Sequence, residues 1–155
     1  MLETVDQLDS SSRQRPRDGR PGEVAEALRA LAFAASDRAA GDAYHRVLFA
    51  VGNDHGGSYF PIVLDIVPYL GEILAAGTRR VRARTLDVLL DLVCSFGPDP
   101  DVVSHDGVRR DELPNLLRSR VRSLRPILDG LIADSSAPDV QKLAQDLVQH
   151  LTDEG

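Results

Sequence analysis

The chain has 155 residues, 43% of them hydrophobic, with a formal net charge of −6 and a single cysteine. That length gives one domain with one sizeable core. One cysteine excludes a disulfide framework and a multi-cysteine metal site, the acidic balance argues against a nucleic-acid binder, and no apolar run approaches the roughly 20 residues of a membrane span.

The first ten residues, MLETVDQLDS, carry acidic groups and no apolar signal core, so a cytoplasmic location with no membrane contact is expected. Residues 9–22, DSSSRQRPRDGRPG, contain no large apolar side chain. They cannot bury enough surface to offset chain entropy, and residues 1–22 are expected to be a disordered tail before a folded domain at 23–155. Lys142 is the only lysine among 18 basic residues. That skew toward arginine reads as a GC-rich bacterial genome and carries no functional meaning.

From residue 23 the apolar spacing is helical. Val24, Ala27, Leu28, Leu31 and Ala35 share one face, with Gly41 expected to end that helix and Asp42 to cap the next. Tyr44, Val47, Leu48 and Val51 form the apolar face of the second helix. After the glycine-rich loop 52–57, Ser58 can cap a third helix running to Ala76, kinked at Pro68. A fourth spans 79–96, a fifth runs from Asp111 to Ala133 through Pro126, and a last one ends near Leu151. No segment shows strand alternation. Cys94, in the apolar run LLDLVCSF, is expected to be a buried thiol.

Residues 66–92 and 124–151 repeat one another. Pro68 aligns with Pro126, Leu70 with Leu128, Ile73 with Leu131 and Leu74 with Ile132. In the second halves, Val81 aligns with Val140, Thr85 with Ala144, Val88 with Leu147 and Leu92 with Leu151. Self-similarity of this kind marks a helical repeat array. The segment LRPILDGLIADSSAPDVQKLAQDLVQHL resembles a HEAT repeat, with Pro126 in its first helix and Pro138, Asp139 and Val140 opening its second. The central segment SYFPIVLDIVPYLGEILAAGTRRVRARTLDVLLDL is similar. The copies depart from the pattern in spacing, lying further apart than such repeats usually do, and in the basic residue often found after the valine that opens the second helix, which is Arg82 in one copy but Gln141 in the other. The resemblance implies an all-α fold of about six helices in three antiparallel hairpins, a HEAT-like right-handed superhelix, with a binding role and no catalytic residues or cofactor.

In such an array the second helix of each pair lines the concave side. His45, Arg84, Asp87, Asp91, Asp146 and His150 would then share one face, an acidic surface for a basic protein partner. The expected function is a non-catalytic protein-binding module, of the type of a bacterial immunity protein or antitoxin that sequesters a basic partner. A different class of reading comes from two loops, Asn53-Asp54-His55-Gly56 and Ser104-His105-Asp106-Gly107. Asp54, His55, His105 and Asp106 at one edge could serve a metal-dependent or nucleic-acid-acting HEAT-like enzyme. The spacing matches no ligand motif, so no metal site is assigned. Arg118, Arg122 and Arg125 form a basic stripe, and Arg79, Arg80, Arg82 and Arg84 a second basic group. Both are candidates for phosphate contacts, but the acidic folded region makes nucleic acid the weaker expectation.

Overall fold

A computed structural model describes residues 1–104 and 108–153. The chain is mostly helical, with a small three-stranded sheet. In order, the elements are α1 (Glu23–Ala32), α2 (Asp37–Val51), β1 (Gly52–Asn53), β2 (Ser58–Tyr59), α3 (Val63–Ala76), α4 (Arg79–Leu90), β3 (Gly97–Pro98), α5 (Leu113–Arg122), α6 (Arg125–Ala133) and α7 (Pro138–Asp153). No described helix is long and apolar enough to cross a membrane.

Neighbouring helices joined by short turns pack together: α1 on α2, α3 on α4, α6 on α7. The second members, α2, α4 and α7, also touch in series, while α3 touches α1, α5 and α6. The centre of this arrangement is α4. It buries Val81, Thr85, Leu86, Val88 and Leu89, and the Thr85 hydroxyl is satisfied inside the core by donating to the Val81 carbonyl at 2.8 Å. What remains of α4 for solvent is narrow and polar, as expected for a helix flanked on most sides.

The two aligned segments occupy equivalent environments. Every aligned apolar pair except Leu74 and Ile132 is buried in both copies, Thr85 and Ala144 included. Pro68 and Pro126 are exposed in both. The apparent mismatch of Arg82 with Gln141 disappears in three dimensions. Arg82 Nε donates to the Leu74 carbonyl at 2.8 Å, and Gln141 Nε2 donates to the Ile132 carbonyl at 2.7 Å. Each reaches back to satisfy an orphan carbonyl at the end of the preceding helix.

Several boundaries differ from expectation, each for a local reason. The first break falls at Phe33–Ser36, where the Ser36 side chain accepts from the Ala39 N–H at 3.0 Å and caps α2. Gly41 lies inside α2 instead, where a Cβ would come 3.3 Å from the Arg84 guanidinium. Residues 111–133 form two helices broken at Ser123 and Leu124, with Pro126 in the first turn of α6, where its missing N–H costs little. Buried Leu124 packs against Gly71, whose Cβ would stand 2.7 Å from the leucine. Residues Asp91–Ser95 continue α4 as a π-turn, closed by the Phe96 N–H to the Asp91 carbonyl at 2.8 Å.

The expectation of no strands fails over short distances. Antiparallel β1 and β2 place Gly52 opposite Tyr59, and β3 runs parallel to β2. Segments of two residues are too short to show alternation. Cys94 is exposed, not buried, because the π-turn rotates it away from the core.

Residues 1–22, expected as a disordered tail, lie along the α1 and α3 side of the domain. The segment forms a 3-10 turn at Val5–Ser10 and buries Leu2, Val5 and Leu8. These three precede the polar stretch and anchor it. Beyond them, hydrogen bonds do the holding: Arg13 pairs with Asp65 at 2.8 Å, the Gln14 carbonyl accepts from the Ile62 N–H at 3.0 Å, and Asp9 accepts from the Gly22 N–H at 2.8 Å.

Candidate functional site

Side by side, α2 and α4 bring expected site residues together among the described residues. Their apolar faces turn inward and leave Tyr44 and His45 on α2 beside Arg84 and Asp87 on α4, with Asp91 where α4 passes into the π-turn. The β1–β2 turn supplies the last member, Asp54. Gly52 lets the two strands approach, since a Cβ there would sit 2.0 Å from the Ser58 carbonyl oxygen. Gly57 adopts φ +68°, which glycine tolerates, and Asn53 Oδ1 accepts from the Gly56 N–H at 2.9 Å. The turn is thereby set with Asp54 under His45.

His45 Nδ1 lies 2.6 Å from Asp54 Oδ2. The Asp54 side chain is 10% exposed and that of His45 61% exposed, so the carboxylate fixes the ring and leaves Nε2 to solvent. Tyr44 donates its phenolic hydrogen bond to Asp91. The Arg84 guanidinium stands 5.7 Å from the Tyr44 ring centroid, a cation–π distance, and 3.6 Å from Asp87.

Electrostatics bind these groups into one unit. The Tyr44 phenol is pushed well above the ordinary tyrosine range, first by burial, then by its hydrogen bond to Asp91 and by the charges of Asp91, Asp54 and Asp87. The Asp87 carboxyl is also pushed up, mainly by burial; Arg84 opposes the shift and Asp91 adds to it. Three carboxylates thus face one arginine in a half-buried recess. Such a recess favours added positive charge.

The other expected residues lie apart from this recess. His55 packs edge-on against exposed Phe49, ring centroids 5.1 Å apart, so Asp54 and His55 point to different neighbours. Asp146 is paired with Lys142 on its own helix at 2.8 Å, and His150 is exposed on the last turns of α7. Among the described residues no hydrogen bond or ion pair joins either to the α2–α4 recess. His105 and Asp106 fall outside the described residues. Among those described, no three of His, Cys, Asp and Glu are arranged to hold a metal ion.

The basic stripe on α5 and α6 is spent on structure. Arg118 donates to the Val93 carbonyl at 2.9 Å, Arg122 to the Leu151 carbonyl at 3.1 Å, and Arg125 pairs with Asp129 at 2.7 Å. The first two satisfy carbonyls near the ends of neighbouring helices.

Tyr44 is the member that sequence reasoning missed, because its spacing with Val47, Leu48 and Val51 reads as core. Phe49 was missed too; it sits one turn beyond His45 on the outer face and is exposed. Comparison of the chain with protein-family models, curated proteins and solved structures found no match.

Proposed function

We propose that the chain is a short HEAT-like stack of helical hairpins that acts as a non-catalytic protein-binding module, and that the α2–α4 recess takes a basic segment of its partner. The observation that carries this is the convergence of Asp54, Asp87 and Asp91 around Tyr44, with Arg84 beside Asp87 and the Tyr44 ring. Exposed Phe49 and His45 beside the recess add aromatic contact area. Interfaces gain most from such aromatic anchors, and complementary charge adds specificity and association rate. The equivalent burial of the two repeat copies and the serial contact of α2, α4 and α7 support the stack.

A basic partner sequestered by a small acidic protein is the working mode of an immunity or antitoxin-type protein, and that is the role we assign. Cross-linked affinity capture from cells that make the protein, run beside an Asp87→Lys variant, tests it. A stoichiometric basic partner retained by the native chain and lost by the variant is the expected result. Equal recovery with both chains would overturn the recess as the contact.

A further inference from the structure

A groove of about 720 Å³ opens between the α1–α2 turn and the start of α4, and the recess carboxylates Asp54, Asp87 and Asp91 do not line it. Its size falls within the roughly 300–1,000 Å³ of small-molecule sites. Ala34, Ala35, Ala40 and Ala83 line it, with three arginines, Arg79, Arg80 and Arg84, and two carboxylates, Asp37 and Asp139. The arginines are positioned from different sides. Arg79 Nε bonds Asp139 at the start of α7 at 2.8 Å. Arg80 Nη1 bonds the Ala35 carbonyl at 2.7 Å, with Nε 3.2 Å from Asp37.

Most of the donor capacity there is unspent. Each guanidinium carries five N–H donors. Arg79 and Arg80 use only part of theirs in these bonds, and Arg84 makes no hydrogen bond among the described residues, only its 3.6 Å approach to Asp87 and its contact with Tyr44. The acidic partners are exposed, Asp37 at 87% and Asp139 at 49%, and exposed ion pairs are weak and exchangeable. A dianionic phosphate offers pairs of acceptor oxygens to the planar forks of several guanidiniums at once, which an isolated surface carboxylate does not. Thr78 makes no side-chain cap bond and the first turn of α4 has no acidic residue.

We infer that this groove binds a phosphate-bearing small molecule, with the phosphate held by Arg79, Arg80 and Arg84 and an apolar portion resting on the alanine floor. The site is separate from the acidic recess, although Arg84 borders both. Titration of the ¹⁵N-labelled chain with pyrophosphate, and separately with ADP, tests it. Saturable shifts at the amides of Arg79, Arg80 and Ala83 are expected. Arg84→Gln, which leaves the Asp37 and Asp139 pairs intact, should weaken binding about tenfold, whereas Arg109→Gln, at a distant exposed pair, should not. Tighter binding of ADP than of pyrophosphate supports the apolar contact with the alanine floor, and the reverse would overturn that part of the assignment. Shifts that do not saturate, or equal affinity in Arg84→Gln and the native chain, would overturn the assignment.

Discussion

Tyr44 on α2 donates a hydrogen bond to Asp91 at the end of α4, so one phenol ties together the two helices that form the acidic recess. The contact lies where α4 gives way to a π-turn, a distortion frequent at functional sites. It costs the chain something: a carboxylate is drawn toward a half-buried ring, and two more acidic groups stand close by.

Tyr44→Phe removes the donor and leaves Asp91 to water. Hydrogen bonds to charged acceptors contribute about 1.5–3 kcal/mol; at a half-buried site the expected loss is about 1–2 kcal/mol, read from urea denaturation. The native chain should also lose stability in alkali. Tyrosine ionises near 10.0 when unperturbed, whereas Tyr44 lies well above that and burial pushes Tyr59 up to about 12. Above pH 10 the folded state keeps protons that the unfolded chain releases, so stability falls as pH rises from 10 through 12. Tyr44→Phe should make that fall shallower.

Asp87→Asn should stabilise the protein while weakening its interaction with a partner. Burial raises the Asp87 carboxyl above its ordinary value of 3.8. Between those two values the folded state binds more protons than the unfolded chain, so this group's contribution drops as pH rises and is a cost at neutral pH. Removing the charge gives up only a loose 3.6 Å pairing with Arg84. The expected gain is about 0.5 kcal/mol, or about 1–2 °C in a thermal melt. A loss of stability would show that the Arg84 pairing outweighs the burial cost.

Much of this architecture was legible in the chain. Leu70, Val81, Val88 and their counterparts Leu128, Val140 and Leu147 repeat because equivalent environments bury them. Helical spacing aligns Arg84, Asp87 and Asp91 along one side of their helix, whereas His45, Asp146 and His150 are joined to that face only through the repeat alignment, and Asp146 pairs with Lys142 on its own helix instead. Asp54 belonged to a different expected cluster, since only the β1–β2 turn folds it back under His45. Tyr44 was hidden because a ring on an apolar stripe has the same spacing whether or not its hydroxyl finds a partner. The N-terminal segment was misread because Leu2, Val5 and Leu8 lie just before the polar stretch that composition singled out.

Gly52→Ala tests whether the short sheet positions the site. A Cβ would meet the Ser58 carbonyl oxygen at 2.0 Å and the Tyr59 Cα at 2.7 Å, and backbone cannot step aside as a side-chain tip can. The expected cost is about 2–4 kcal/mol, with displaced His45 and Asp54 resonances. Unchanged stability would mean that the β1–β2 approach is dispensable.

Leu8→Ala tests the N-terminal strap. Leu8 is buried in the main core, and truncating a buried leucine costs about 2–5 kcal/mol; the lower half of that range is expected at the edge of the domain. Amide exchange across residues 5–16 should accelerate with it. Native-like protection in the variant would contradict anchoring by this leucine.

The most direct measurement is the affinity of the captured partner for the native chain, for Asp87→Lys and for Asp129→Lys, at two salt concentrations. Asp129 is an exposed acid on α6, paired with Arg125 and remote in sequence from the recess. Recognition through the recess predicts at least about a tenfold loss for Asp87→Lys, little change for Asp129→Lys, and weaker native binding at high salt. Equal losses in both variants, or no loss in either, would contradict a basic partner seated between α2 and α4.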